Sequence, residues 1–203
     1  MKTAILLFSG GIDSTTCLYW AKKQGYQLIC LSIDNGHRPL GEKRAANNIS
    51  RSVGADLIKI DLPFLRDYDG MKHEDLPIVG KIEDGGYIPA RNLIYYSIAL
   101  HFAEIFGAEV IIGGHIAHDS VIFPDATDQF FAKFQVAIDQ SLVSMSPKIV
   151  LPLAKKSKSE VLTLARELGV PIEETWSCYL NGEEQCGNCL SCRERIEAIS
   201  HLS

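Results

Sequence analysis

The chain has 203 residues, a formal net charge of −5 and 46% hydrophobic residues, which suits one ordinary domain with a real core, or one domain plus a small appendage. The acidic balance argues against a surface coated for nucleic acid. No apolar run approaches the roughly 20 residues that a membrane span needs, and Met1-Lys2 leads straight into a strand rather than a leader. The expectation is a cytoplasmic protein with neither membrane nor nucleic acid as partner.

Residues 4–8 are an apolar run that reads as a buried parallel strand, and residues 15–23 read as a helix ending before Gly25. Between them lies Ser9-Gly10-Gly11-Ile12-Asp13-Ser14. A strand, a small-residue turn and a helix start make an anion site, because backbone N–H groups converge there at the positive end of the helix. Gly10 and Gly11 carry no Cβ, so a phosphate can approach the main chain, while Ser9 and Ser14 add hydroxyl donors. No Gly-Lys-Ser/Thr follows, so this is not a Walker A loop, and it is not Gly-x-Gly-x-x-Gly either. The six residues resemble the pyrophosphate loop of ATP pyrophosphatases, which activate a carbonyl by adenylation and release pyrophosphate. An ordinary capped βα turn is the competing account.

Residues 27–33 read as a second strand, ending in Asp34-Asn35-Gly36-His37-Arg38 at the edge where open α/β sheets take ligands. Asp34 suits ribose or adenine and Arg38 suits phosphate; a plain Asn-Gly turn explains the same residues. Residues 42–53 form a helix closed by Gly54, and 56–61 a third strand. Residues 62–88 lose periodicity among Pro63, Gly70, Pro77, Gly80, Gly85 and Gly86, and read as a mobile cover over the site.

A strong helix occupies residues 93–106, with Pro89 just before its first turn, where a missing N–H costs nothing. Arg91 and Asn92 sit at its positive end, where a cation calls for an anion partner; both are candidates for substrate contact. Residues 109–114 read as a fourth strand running into His115-Ile116-Ala117-His118-Asp119-Ser120 and then Phe123-Pro124-Asp125. The His-x-x-His pair with Asp119 has metal-ligand character, although one strand-end loop rarely supplies a full ligand set. Asp119 and Asp125 are candidates for substrate or Mg²⁺ contact.

Residues 129–143 read as a helix and 148–153 as a fifth strand or extended segment. Ser157-Lys158-Ser159-Glu160 is a capping box that opens a helix over 161–168, closed by Gly169. Lys158 lies in that helix's first turn, where a cation needs an anion, so it is a candidate to neutralise a polyphosphate. The alternation predicts an α/β fold: a doubly wound, Rossmann-like parallel sheet of about five strands with helices on both faces.

Of the six cysteines, Cys17 and Cys30 fall in apolar surroundings and read as inert buried thiols. The other four, Cys178-x7-Cys186-x2-Cys189-x2-Cys192, offer four thiolates within fifteen residues. That spacing points to a metal, with structural zinc favoured and an iron–sulfur cluster as the rival. Residues 193–199 read as a closing helix. The expected division is an α/β domain over 1–170 and a metal-binding extension over 171–203.

Taken together, Phe8-Ser9-Gly10-Gly11-Ile12-Asp13-Ser14-Thr15-Thr16-Cys17-Leu18, Pro89-Ala90-Arg91-Asn92, Phe123-Pro124-Asp125, Gly169-Val170-Pro171, Thr175-Trp176-Ser177-Cys178-Tyr179 and the trailing cysteines resemble the 7-cyano-7-deazaguanine synthase (QueC) family. The resemblance implies a fold of the adenine nucleotide alpha hydrolase type. It implies a ligase that makes the nitrile preQ0 from 7-carboxy-7-deazaguanine, ammonia and Mg-ATP, for queuosine or archaeosine biosynthesis, and a homodimer with one zinc per chain. Residues 8–18 would bind ATP, with Asp34 beside them. Arg91, Asn92, Asp119, Phe123 and Asp125 would hold the substrate, Asp13, Lys158 and Asp119 would serve catalysis, and Cys178, Cys186, Cys189 and Cys192 would bind zinc. This sequence departs from the family at the loop after the fourth strand, where His118 replaces a common Glu and Thr127 a common Arg, and at Asn35 and His37. These departures leave open another adenylating enzyme with a different carboxylate or carbonyl substrate, or a non-catalytic ATP sensor.

Overall fold

The computed structural model describes residues 2–36, 38–65, 67–68, 71–72, 88–142, 144 and 146–200. Strand β1 (Thr3–Leu7) leads into helix α1 (Ile12–Lys23), β2 (Gln27–Asp34) into α2 (Leu40–Ser52), and β3 (Asp56–Asp61) follows. One 3-10 turn at Pro63–Leu65 and a short antiparallel pair, β4 (Asp67–Tyr68) with β5 (Met71–Lys72), begin the stretch expected to be a cover. Most of that cover lies outside the described residues, as does His37. Helix α3 (Arg91–Phe106) precedes β6 (Val110–Ile112). A single turn, α4 (Asp119–Ile122), and helix α5 (Asp128–Ser141) come before β7 (Lys148–Val150). Helices α6 (Lys158–Glu167) and α7 (Leu190–Ser200) complete the order.

The five main strands form one all-parallel sheet in the order β3-β2-β1-β6-β7. The expected doubly wound α/β architecture is present. Successive strand residues face opposite layers, as the period of two requires. Ala4 and Leu6 of β1 pack with Cys30 and Ile112 against Leu18 of α1, Ile49 of α2 and Val161 of α6. Ile5 of β1 packs with Leu31 and Ile111 against Tyr96 and Ala99 of α3 and Phe131 of α5. Both faces are covered, so β1, β2 and β6 read as continuous apolar runs. Each fully buried Leu or Ile in these layers contributes about 1.5–3 kcal/mol.

The boundaries differ from the sequence reading at a few ends. The fifth strand stops at Val150 rather than running to residue 153, because Pro152 has no N–H to give a ladder. The loop after β6 contains the unexpected turn α4. Among the described residues, no helix is long and apolar enough to cross a membrane.

Chain order reverses between β1 and β6: the chain runs outward from β1 to β3, then returns to the other side of β1. In such sheets the loops at the carboxyl ends on either side of the reversal part and leave a crevice. Here those loops are residues 8–11 after β1 and 113–118 after β6.

Candidate functional site

The loop after β1 is shaped by its own small side chains. Ser9 Oγ accepts from Gly11 N–H at 3.1 Å and lies 3.2 Å from Ser14 Oγ. The Ser14 hydroxyl donates to the Gly11 carbonyl at 3.1 Å, and the Thr15 hydroxyl to the same carbonyl at 2.8 Å. Helix α1 begins at Gly11 with no side-chain cap. Its first-turn N–H groups, which have no acceptor within the helix, are turned toward the crevice end.

The two glycines do different jobs. Gly10 has φ +87°, and a Cβ there would lie 2.5 Å from Ala46 N and 3.0 Å from the Glu42 carbonyl on α2. Gly10 is therefore required for close packing of α2, not for room beside a phosphate. Gly11 has ordinary φ, and its Cβ would meet only Ser9 Oγ at 3.2 Å and the Trp176 carbonyl at 3.4 Å. Side chains further along residues 8–18 face inward. Phe8, Cys17 and Leu18 are core residues, Ile12 is buried against Leu162 and Ala198, and the Thr16 hydroxyl donates to the Ile12 carbonyl at 2.7 Å. The Cys17 thiol points at the Gly113 carbonyl 3.6 Å away, and burial pushes its ionisation far up. Burial likewise raises Cys30 to about 12, so both thiols are inert as expected.

Arg38 does not reach outward. Its Nη2 donates to the Ser9 carbonyl at 2.6 Å and its Nη1 to Ser32 Oγ at 2.7 Å, while Nε lies 3.3 Å from Glu42. Burial raises the Glu42 carboxyl, against the pull of Arg38. This buried pair fixes the back of the loop from α2. Asp34 accepts from Gly36 N–H at 2.9 Å and pairs with Lys43. Burial pushes its carboxyl up, but these donors outweigh it and the net shift is downward.

Lys158, at the start of α6, meets Asp13, in the first turn of α1: Nζ lies 2.8 Å from both carboxylate oxygens. The anion that Lys158 needs in its first turn is thus supplied by the chain. Burial pushes the Asp13 carboxyl up from its ordinary value, opposed by the Lys158 ammonium, and Asp119 pushes it further.

On the β6 side, Asp119 Oδ2 accepts from Ile116 N–H at 2.8 Å and lies 4.0 Å from His115 Nδ1, so it closes the loop on itself. His115 packs against Tyr96 and Phe131, and burial lowers its pKa. His118 is exposed. The two histidines do not assemble a metal site with Asp119: among the described residues only the four cysteines converge as ligands. Asp125 accepts from Asn92 N–H at 2.9 Å, and the Asn92 amide donates to the Asp125 carbonyl at 3.1 Å. The anion expected at the start of α3 is therefore Asp125 itself, reaching over as a cap. Arg91 lies over the Phe123 ring, 5.5 Å from its centroid. Ala90, just before α3, adopts φ 52°, the one positive φ outside glycine among the described residues.

Cys178, Cys186, Cys189 and Cys192 bring their sulfurs within 4.8 Å of one another. Backbone N–H groups point at them: Leu180 and Cys186 at Cys178 Sγ, Asn188 and Cys189 at Cys186 Sγ, all at 3.4 Å. Donors from Cys189 and Asn188 pull the Cys186 thiol down to about 6, while burial pushes the Cys192 thiol up to about 12; a metal ion at the cluster would hold both as thiolates. Trp176, two residues before the cluster, was read from the sequence only as part of a motif. Its N–H donates to the Gly10 carbonyl at 3.1 Å, its ring covers Gly41, and its indole N–H donates to the Cys178 carbonyl at 2.8 Å. Arg38, Glu42 and Trp176 support the loop, a role that neither the strand-end position of Arg38 nor the motif around Trp176 signals in the sequence.

Comparison with known proteins fits this arrangement. The family model described as "Queuosine biosynthesis protein QueC" matches residues 3–203. The chain is 36% identical over 211 residues to 7-cyano-7-deazaguanine synthase 2 of Desulfitobacterium hafniense, covering 98% of this chain and 89% of that protein. It is 37% identical over 205 residues to the 7-cyano-7-deazaguanine synthase of a Nitratiruptor species, covering 97% and 93%. Two solved structures share the fold at 20% identity. One is the U34-tRNA thiolase NcsA of Methanococcus maripaludis with its 4Fe–4S cluster, at TM-score 0.53 over 99% of this chain; this chain spans 64% of that one. The other is a predicted subunit of tRNA methyltransferase from Methanocaldococcus jannaschii, at TM-score 0.56 over 82% of this chain and 76% of that one. With a full-length family match and relatives of this identity, the chain belongs to the QueC family of queuosine biosynthesis proteins.

Proposed function

We propose that the chain converts 7-carboxy-7-deazaguanine and ammonia to 7-cyano-7-deazaguanine by two rounds of adenylation. The observation that carries this reading is the loop Ser9–Ser14 at the reversal point of the sheet, with α1's amino terminus behind it and Lys158 beside it. A carboxylate is a poor electrophile because oxide is a poor leaving group. Attack of the substrate carboxylate on the α-phosphate of ATP expels pyrophosphate and leaves an acyl-AMP. Ammonia displaces AMP to give the amide. The amide oxygen takes AMP from a second ATP, and loss of that AMP with the amide protons leaves the nitrile.

The chain's own contribution is electrostatic. First-turn N–H groups of α1, Ser9 and Lys158 would receive the charge of departing pyrophosphate in a preorganised setting. Asp13 holds Lys158 in position between turnovers. The magnesium that accompanies ATP would meet the carboxylates of Asp13 and Asp119, hard oxygen donors of the kind it takes. Arg91 and Phe123, with the guanidinium over the ring, are the groups suited to the flat heterocycle and its carboxylate.

We assign one structural zinc to the four cysteines. Thiolates about 2.3 Å from a shared ion sit about 3.8 Å apart in a tetrahedron. The separation of Cys186 and Cys192, 4.0 Å, is close to that spacing and supports a single ion over a cluster.

The test is pyrophosphate release by purified protein with Mg-ATP and ammonium, with and without 7-carboxy-7-deazaguanine, followed by mass spectrometry. Release that depends on the carboxylate, with a product of the nitrile mass, supports the reading. ATP binding without release refutes it and turns attention to the altered loop 115–127. Metal analysis tests the zinc: one zinc per chain is expected, and iron with visible absorbance would overturn the assignment.

A further inference from the structure

Two side chains flanking the cysteine ligands grip the same short segment, and that segment holds the loop after β1. Arg195 lies on α7 one turn beyond Cys192 and is 8% exposed. Its Nη1 donates to Thr175 Oγ1 at 2.6 Å, to the Thr175 carbonyl at 3.2 Å and to Ser177 Oγ at 3.3 Å, and its Nη2 donates to the Ile172 carbonyl. Gln185 directly precedes Cys186. Its amide donates to the Thr175 carbonyl at 3.2 Å, and its oxygen accepts from Ser177 N–H at 2.9 Å. Trp176, held between them, donates its N–H to Gly10 of the loop.

The Arg195 guanidinium is a buried cation whose hydrogen bonds all go to neutral acceptors, and among the described residues it forms no ion pair with a carboxylate. A buried charge of that kind is costly unless another charge compensates it. Four thiolates around one divalent ion carry two excess negative charges, and Cys192, three residues before it on α7, acts on the Arg195 guanidinium alongside the Glu173 carboxylate. The charge of the loaded centre therefore has its counterpart in Arg195.

We propose that Arg195, seconded by Gln185, is a positioning residue that couples the four-cysteine metal centre to the nucleotide loop through Thr175, Trp176 and Gly10. The inference rests on the metal and ATP assignments made above. When the metal is held, α7 and the 185–186 turn are fixed relative to each other, so residues 175–177 are clamped from both sides and Gly10 is held against α2. Losing the metal frees the clamp. Linkage is reciprocal: if metal tightens nucleotide binding, nucleotide must tighten metal binding by the same factor, which at an unchanged association rate is slower metal release.

The experiment measures chelator-driven zinc release from the zinc-loaded protein, with and without a non-hydrolysable ATP analogue and Mg²⁺. In the wild type the analogue slows release about tenfold, within the usual range of such couplings. Arg195→Lys keeps the charge but loses the fork; Gln185→Met keeps the volume but loses both hydrogen bonds. Neither removes a ligand. Each variant still carries one zinc per chain, yet the slowing drops below about twofold, and KM for ATP rises about tenfold while kcat changes by less than about threefold. A merely structural role would lower kcat and stability together and leave the reciprocal effect in the protein that remains folded. Full slowing in both variants overturns the proposal; should Arg195→Lys not fold, Gln185→Met alone decides it. A wild type that binds both metal and analogue with no mutual effect also overturns it, whereas a wild type that binds no metal or no analogue overturns the earlier assignments instead.

Discussion

Replacing each loop glycine by alanine separates packing from phosphate approach. At Gly10 the added Cβ would sit 2.5 Å from Ala46 N and 2.9 Å from Ala46 Cα, both backbone atoms of a helix that cannot turn aside as a side chain could. The residue also holds φ +87°, where an L side chain costs about 1–2 kcal/mol. Forcing α2 away adds about 1–3 kcal/mol of overpacking strain. The total, about 2–5 kcal/mol, lowers Tm by about 5–15 °C for a chain of this size. At Gly11 the backbone is extended, and the closest atom to a Cβ is the rotatable Ser9 hydroxyl at 3.2 Å. Gly11→Ala therefore costs about 1 kcal/mol or less, mostly through a poorer helix start. It moves the Ser9 hydroxyl, however, so the loss falls on pyrophosphate release. Thermal unfolding and steady-state pyrophosphate assays on both variants check this. A Gly11→Ala protein that melts lower than Gly10→Ala would refute the reading of α2 as the reason for Gly10.

Three further outcomes are expected. Lys158→Met strands the Asp13 carboxylate in a site where the pair is 27% and 29% exposed. It destabilises by about 1–3 kcal/mol, below the range for fully buried pairs, and the double variant with Asp13→Asn recovers most of the lost Tm but none of the pyrophosphate release. Asp125→Ala removes the remote cap of α3 and costs about 1–2 kcal/mol in denaturant unfolding; Asp125→Asn, which keeps an acceptor, loses less. Donors from Ser146, Gln135 and Lys148 hold the Asp139 carboxyl down at about 2, against an ordinary 3.8. The unfolded chain therefore binds its proton first as pH falls. The stabilisation is complete above about pH 4 and disappears as pH drops through about 2, so acid-unfolding profiles of wild type and Asp139→Asn should converge at the low end and part above it.

The fold was legible because periodicity carries it. Apolar runs at residues 4–8, 27–33 and 109–114, each followed by a polar strand-end loop and a helix, leave little choice but a doubly wound parallel sheet, and the order β3-β2-β1-β6-β7 obeys that logic. The capping box at Ser157 and Glu160 is present in both of its hydrogen bonds. Helix α4 was not legible, since four residues give no period to read. The end of the fifth strand was less legible, because Leu151 extends its apolar run and only the missing N–H of Pro152 argues that the ladder stops before it.

The site was legible as a location and less so as a set of roles. Residue type marked Arg38, Asp34, Arg91, Asn92, Asp125 and Lys158 as groups fit for a ligand, and every one of them lies near a strand or helix end facing the reversal. But a half-buried charge must be satisfied in the folded chain as well as in the complex. Arg38 is answered by the Ser9 carbonyl and Glu42, Lys158 by Asp13, and Asn92 by Asp125. Glu42 stands only four positions from Arg38 and is open to a local reading, but the other partners stand 29, 33 and 145 positions away, so no local pattern could have named them. Gly10 makes the same point without charge: its neighbour along the chain, Gly11, has the same side chain, and only the arrival of α2 at Ala46 distinguishes the glycine that packing demands from the one that leaves the serine hydroxyl free. Spacing identifies a ligand set when all its members are local, as with the four cysteines in fifteen residues; a crevice built from separate strand ends is assembled by the fold, and its division of labour is read from contacts.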